Sequence, residues 1–278
     1  MKNWRFAITR RYFGYLAMAI VFAIACWFLS QWQFARLAEA RVEVNRLSAN
    51  YEREPVPLAS VLPDLDSFDA DDKWIPVEMT GTYLTDQQTL VRNRPYGGNP
   101  GFEVLTPLQL PDDTVFIVDR GWVPSGDEQD YPDDIPAAPV GEVTVVARLK
   151  ASEPQLAGRS APAGQIATIQ LPALAETLGG EMFTGAYGLM ASESPAPATR
   201  PLAAAQPEED EGPHLSYALQ WLLFALFGFG GLAYALRTEF RIRNADDPDE
   251  RIRAEKRRVK DSKRARTDAE IEDALLDA

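Results

Sequence analysis

Two uncharged runs, one near each end, limit what this 278-residue chain can fold into. Leu215 to Leu236 is 22 residues without a charge, the length at which an α-helix crosses a hydrocarbon core of about 30 Å. Tyr12 to Ala35 is a second such run, with the core reading YLAMAIVFAIACWFL. The chain therefore reads as two transmembrane helices, 12–34 and 214–236. They bracket about 180 residues, enough for one folded domain with its own core. A cleaved signal peptide suits the first run poorly, because the run exceeds an ordinary h-region and no A-x-A site followed by polar sequence comes after it. Nor does Cys26 read as a lipoprotein cysteine, since Trp27, Phe28 and Leu29 carry the apolar run past it. It reads as a small hydrophobe within the bilayer. As the only cysteine, it excludes an internal disulfide and any Cys-x-x-Cys site.

The formal charge of −13 is unevenly distributed. Residues 1–12 hold four basic groups and no acid, residues 35–213 carry a net −17, and residues 237–278 hold twelve of each sign. Orientation follows from Lys and Arg close to the span ends. The N-terminal arm and the 20 residues after the second span hold ten of these, against five in the two flanks facing the middle domain. Both termini are expected in the cytoplasm and the middle domain outside it, in a multi-pass cell-membrane protein. An acidic domain with no basic face argues against nucleic acid as a ligand. It suits a cationic partner.

Along the chain, residues 1–11 form a cytoplasmic arm. Gln31 to about Arg53 continues the first span as a helical stalk, with Phe34, Leu37, Val44, Leu47 and Tyr51 at three- to four-residue steps, and Pro55 and Pro57 end it. Residues 58–73 read as an acidic loop with a short helix. Strand signals follow: Val77, Met79 and Tyr83, interrupted by Gly81; Thr89–Asn93; Phe102–Leu110 and Thr114–Asp119 around the turn Pro111-Asp112-Asp113; and Glu142–Lys150, which alternates cleanly. Residues 125–139 are an acidic, proline-rich excursion, Leu171–Leu178 a helix stopped by Gly179-Gly180, and Phe183–Met190 a last strand. Residues 35–190 thus read as stalk plus β domain. Residues 191–213, rich in Pro, Ala and acids, read as a flexible linker. Residues 237–278 read as a charged cytoplasmic tail, helical over Asp249–Arg266 and too short for a kinase or cyclase module. The fold class expected is a membrane protein of α+β type: two transmembrane helices flanking an extracytoplasmic, mainly antiparallel, barrel-like β domain with minor helices.

Three blocks resemble one family, the surfeit locus protein one (Shy-type) assembly factors for haem–copper cytochrome c oxidase. They are Trp32-Gln33-x-x-Arg36; the run Val91–Pro124, with Arg94-Pro95, Pro100-Gly101-Phe102, Leu105-Thr106-Pro107 and Val118-Asp119-Arg120-Gly121-Trp122-Val123-Pro124; and Gly212-Pro213-His214-Leu215-Ser216-Tyr217-Ala218-x-Gln220-Trp221. With the two-span layout, the likeness runs from about residue 10 to 240. It implies a membrane-bound factor that helps mature the oxidase's catalytic subunit, by haem a insertion or by stabilising an intermediate. The partners implied are that subunit, haem a synthase and membrane lipid, with haem a as a transient cofactor. In bacterial members the histidine opening the second span is proposed to contact haem; that position here is His214.

A neutral imidazole is an ordinary axial ligand of haem iron. Tyr217, Ala218, Trp221, Ala225 and Gly228 share a helix face with His214, so His214, Tyr217 and Trp221 form the expected haem-binding set. The bland alternative is a polar cap of the span, bonded to headgroups or water. For the small stripe Ala225, Gly228 and Ala235, packing against the first span is the favoured reading. Arg94 and Arg120, with Trp32 and Arg36, are the expected partner or propionate contacts, because a guanidinium fork suits a carboxylate. Pairing of Arg92, Arg94 and Arg120 with Asp119, Glu103 or other acids at strand ends is their structural alternative and the favoured reading, since most such arginines are structural. Gly121 is read as permitting a turn. As the only histidine, His214 excludes a bis-histidine site within one chain. No enzyme is expected: there is no G-x-S-x-G, a triad would need His214 beside the bilayer, and the Asp-Asp pairs read as turns.

Overall fold

The computed structural model describes residues 4–127, 130–156 and 158–262. The chain divides into two compact bodies, one of Met1–Glu39 with Gly212–Ala278 and one of Ala40–Glu211. Helix α1, Arg10–Asn50, is unbroken over 41 residues, so the first apolar run and the stalk are one helix. Helix α4, Pro213-capped and spanning His214–Arg243, carries the second run, and both helices are long and apolar enough to cross a membrane.

Within the first body, α1 turns Cys26, Ser30, Gln33 and Leu37 inward at helical spacing, all buried. Ala218 of α4 is fully buried. A β-carbon placed on Gly228 would lie 3.2 Å from the Phe22 ring, so the small stripe is where α4 packs against α1. At the far end Phe6, Tyr12 and Phe240 form a small core, and Trp4 stacks on Phe240 at 4.4 Å. Helix α5, Pro248–Ser262, continues the charged tail; the part of the expected helix from 263 to 266 lies outside the described residues.

The second body is a β domain. Its elements in chain order are β1 (Val56–Pro57), α2 (Leu58–Val61), β2 (Pro76–Tyr83), β3 (Thr89–Val91), β4 (Gly101–Gln109), β5 (Val115–Pro124), β6 (Glu142–Ala151), β7 (Gln165–Ile166), α3 (Leu171–Leu178) and β8 (Ala186–Ser194). Strands pair in the order β1-β2-β6-β8-β5-β4-β3-β7, and β2 also pairs with β4, which closes a five-strand ring. Five of the pairings are antiparallel; β5–β8 and the short β1–β2 and β3–β7 are parallel. The alternation read in 142–150 is real: Val143, Val145, Ala147 and Leu149 all point into the barrel core with Val77, Phe116 and Val118. Outside the barrel wall, α3 covers a second core around Leu105, Ile117 and Tyr187. Both faces of β5 are therefore covered, which is why its first four residues, Val115–Val118, read as a continuous apolar run rather than an alternating one.

Three local expectations change. Strand β2 runs through Gly81 without interruption. Gly81 sits where β2 leaves β6 for β4, and a β-carbon there would lie 2.3 Å from the Gln109 carbonyl oxygen, so glycine permits the closure. Strand β5 runs past Asp119 to Pro124, and Gly121 (φ +126°) lies inside it rather than in a turn. The stretch 191–213 is not all linker: β8 extends to Ser194, Pro201 is buried, and Leu202 exchanges backbone hydrogen bonds with Trp122 at 2.7 and 2.8 Å. Composition alone misses this because the pairing is made by backbone groups.

Candidate functional site

His214 is the first residue of α4, and its imidazole Nδ1 lies 2.9 Å from Gln33 Oε1 on α1. The bond forms in the tautomer whose Nδ1 carries the hydrogen and donates it to the carbonyl oxygen. Nε2 is then left with its lone pair to offer, the arrangement that fixes a ligating imidazole's tautomer and direction. Gln33 is buried and comes from the Trp32-Gln33 pair. Its role as orienter needed the helix pairing, because it stands 181 residues from its partner in the chain. One turn before it, Ser30 Oγ is buried and unpartnered among the described residues.

The other expected residues divide between the two bodies. In the helical body, Tyr217 and Trp32 are about half exposed, and Trp221 is half-buried and edge-on to Phe224 at 5.7 Å. Arg36 pairs with Glu39 at 2.7 Å and lies 6.0 Å from the Trp32 ring, with half its side chain exposed. Further along, Gly228, Gly231 and Ala235 of α4 face Tyr15, Met18 and Phe22 across an apolar groove of about 410 Å³. By helical spacing His214, Tyr217 and Trp221 share one face of α4, and His214 is the one that meets Gln33.

Arg94 and Arg120 belong to the β domain, where carboxylates of that domain take them up. Arg94 is held between Glu103 at 2.9 Å and Glu153 at 2.5 Å. Burial opposes ionisation of Glu153, but hydrogen bonds from Arg94 and from the Ile169 amide outweigh it and hold this carboxyl below its ordinary range. Arg120 is fully buried. It meets Glu193 at 3.0 Å and donates to the carbonyls of Pro136 and Ala137 at 2.9 and 3.3 Å. Its guanidinium also lies over the Tyr83 ring at 5.5 Å. No surface is left for a propionate or a partner, so the expected outward role of Arg120 is replaced by a structural one. Asp119, expected among the arginine partners, is instead buried without an ion pair among the described residues.

The class so defined is a β-barrel protein flanked by two helices long and apolar enough to cross a membrane, with an imidazole held by Gln33 at the start of the second. Among the described residues no group of three or more His, Cys, Asp or Glu could hold a metal ion. The SURF1 family model matches residues 20–226, and the chain belongs to the SURF1 family, known generally as cytochrome oxidase assembly factors rather than enzymes. It is 33% identical over 249 residues to an uncharacterised SURF1-like protein of Mycobacterium bovis, covering 84% of this chain and 87% of that one, and matches one of Mycobacterium tuberculosis equally. A SURF1-like protein of Dictyostelium discoideum is 26% identical over 120 residues, 40% of this chain and 43% of that protein.

Proposed function

We propose that this chain is an assembly factor for haem–copper cytochrome c oxidase that holds haem a transiently at His214 on its way to the catalytic subunit. The observation that carries this reading is the hydrogen bond from His214 Nδ1 to Gln33 Oε1, which leaves Nε2 as the ligating atom. The donor set suits the cargo: one imidazole for iron, with Tyr217 and Trp221 offering aromatic surface beside it. Gln33 orients the ring and keeps its proton on Nδ1. Because the chain has one histidine, a second imidazole ligand would have to come from another molecule, which suits a hand-over more than permanent storage. The partners proposed are the oxidase catalytic subunit and haem a synthase. The setting proposed is the cell membrane, with both termini cytoplasmic and the β domain outside.

The test is the visible spectrum of the detergent-purified full chain from cells making haem a, beside His214→Ala and Gln33→Ala. Wild type is expected to show a Soret band that His214→Ala loses and that Gln33→Ala weakens, since outer hydrogen-bond partners of a ligating histidine contribute about 10- to 100-fold in affinity. No haem in any of the three, with oxidase activity in cells still dependent on the protein, would remove the ligand role and leave a scaffold that binds the oxidase subunit.

A further inference from the structure

The β domain contains a cleft of about 360 Å³ that His214 does not share. Its floor is Asp119 of β5, 2% exposed. Asp119 Oδ1 accepts the Gly121 amide at 3.0 Å, but Oδ2 is buried with no hydrogen-bond partner among the described residues. A buried carboxylate oxygen without a donor is costly, so the site is built around a group it does not itself supply.

The neighbours do not fill that place. Arg94 is occupied by Glu103 and Glu153. Lys150 makes no ion pair among the described residues and instead stands over the rings of Trp74 and Tyr187, at 5.9 and 5.6 Å. Three carboxylates therefore face two cations. One wall is aromatic and already rigid: Tyr96 stacks on Trp122 at 5.4 Å, and Trp122 Nε1 donates to the Arg94 carbonyl at 2.6 Å. A flat aromatic wall beside an unpartnered carboxylate suits a cation on an apolar stem. The net −17 of residues 35–213 would draw such a cation in from a distance.

We propose that this cleft binds a primary ammonium or guanidinium group on an aliphatic stem, with Asp119 Oδ2 receiving the charged head and the Tyr96–Trp122 wall receiving the stem. The ligand chemistry is the same whether it is a free amine or a lysine or arginine side chain of a partner protein. This reading is independent of His214 and of haem.

Burial, followed by the nearby Glu103 carboxyl, holds the Asp119 carboxyl well above its ordinary range. The groups facing it are Glu103 of β4, Lys150 of β6, Tyr187 of β8 and Arg94 of the turn after β3. Ionisation of Asp119 is therefore disfavoured while the cleft holds no cation, and an arriving cation favours it. Affinity must rise with pH until Asp119 is ionised without help.

The experiment is calorimetric titration of the detergent-solubilised full chain with two probes, n-pentylamine and acetyl-Gly-Lys-Gly-amide. The uncharged counterparts are n-pentanol and the norleucine peptide. At about pH 8 at least one amine is expected to bind one to one, about ten-fold or more tighter than its counterpart, with weaker binding as the pH falls and a similar loss in Asp119→Asn. Binding of pentylamine alone would identify a free amine; binding of the lysine peptide would identify a partner's side chain. The proposal is overturned if neither amine outbinds its neutral counterpart, or if Asp119→Asn binds as wild type, in which case water alone meets the oxygen. Should Asp119→Asn not fold, the wild-type charge selectivity and pH series decide the question.

Discussion

Asp119 and Arg120 are consecutive residues of one strand, and the pleat sends them to opposite faces with opposite outcomes. Asp119 keeps one oxygen unpartnered beside the cleft, whereas Arg120 is satisfied by Glu193 and two backbone carbonyls in the barrel. Such a pair contributes to stability chiefly by being complete. Removing one partner strands the other charge where water cannot reach it, at a cost of about 3–5 kcal/mol. Arg120→Ala is therefore expected to lower the barrel's stability by about that amount in urea unfolding followed by far-UV circular dichroism. The double replacement Arg120→Met with Glu193→Leu should recover most of the loss, because it leaves no buried charge behind. A double variant as unstable as Arg120→Ala would show instead that Arg120 acts through packing over Tyr83 and its two carbonyl contacts.

Among the elements, β5 carries the most, and its last third depends on Gly121. A β-carbon there would lie 2.3 Å from the Leu202 carbonyl oxygen, and its φ of +126° is close to glycine-only territory. Gly121→Ala should cost about 1–3 kcal/mol from backbone conformation. It should also release the Leu202 pairing first, so that the Trp122 and Leu202 amides lose hydrogen-exchange protection before those of β6. Protection lost equally across the barrel would place the effect elsewhere. The same strand shows what the sequence could and could not convey. Residues 142–150 were legible because their alternation answers to one buried and one half-open face. The helical runs were legible because length and lack of charge suffice. The far end of β5 was not, since Gly121 looks like a turn after a strand ending at Asp119, until Glu193, 73 residues on from Arg120, supplies the buried countercharge. The motif around them singles out His214, Tyr217 and Trp221 in the sequence, but the contact of His214 with Gln33 depends on two helices meeting.

For the whole molecule, orientation governs which compartment His214 and the cleft can serve. Ten Lys and Arg flank the ends of the two spans nearest the termini, against five on the domain side. Keeping the more basic flanks in the cytoplasm would place the domain, net −17 over residues 35–213, outside. There its charge would keep it soluble and attract cations over a range that salt shortens to about 10 Å at 0.1 M. With Cys26 replaced by Ala the chain has no thiol, so a single introduced cysteine reports its own side of the membrane. Glu142→Cys, at the exposed start of β6, is expected to react with a membrane-impermeant maleimide in intact spheroplasts. Lys256→Cys, exposed on α5, should react only after the membrane is opened. The reverse pattern would invert the molecule, put His214 at the cytoplasmic face and end the proposed delivery route from the outer side. The expected pattern places the imidazole at the outer mouth of its span, where a haem could be passed between membrane proteins without crossing water.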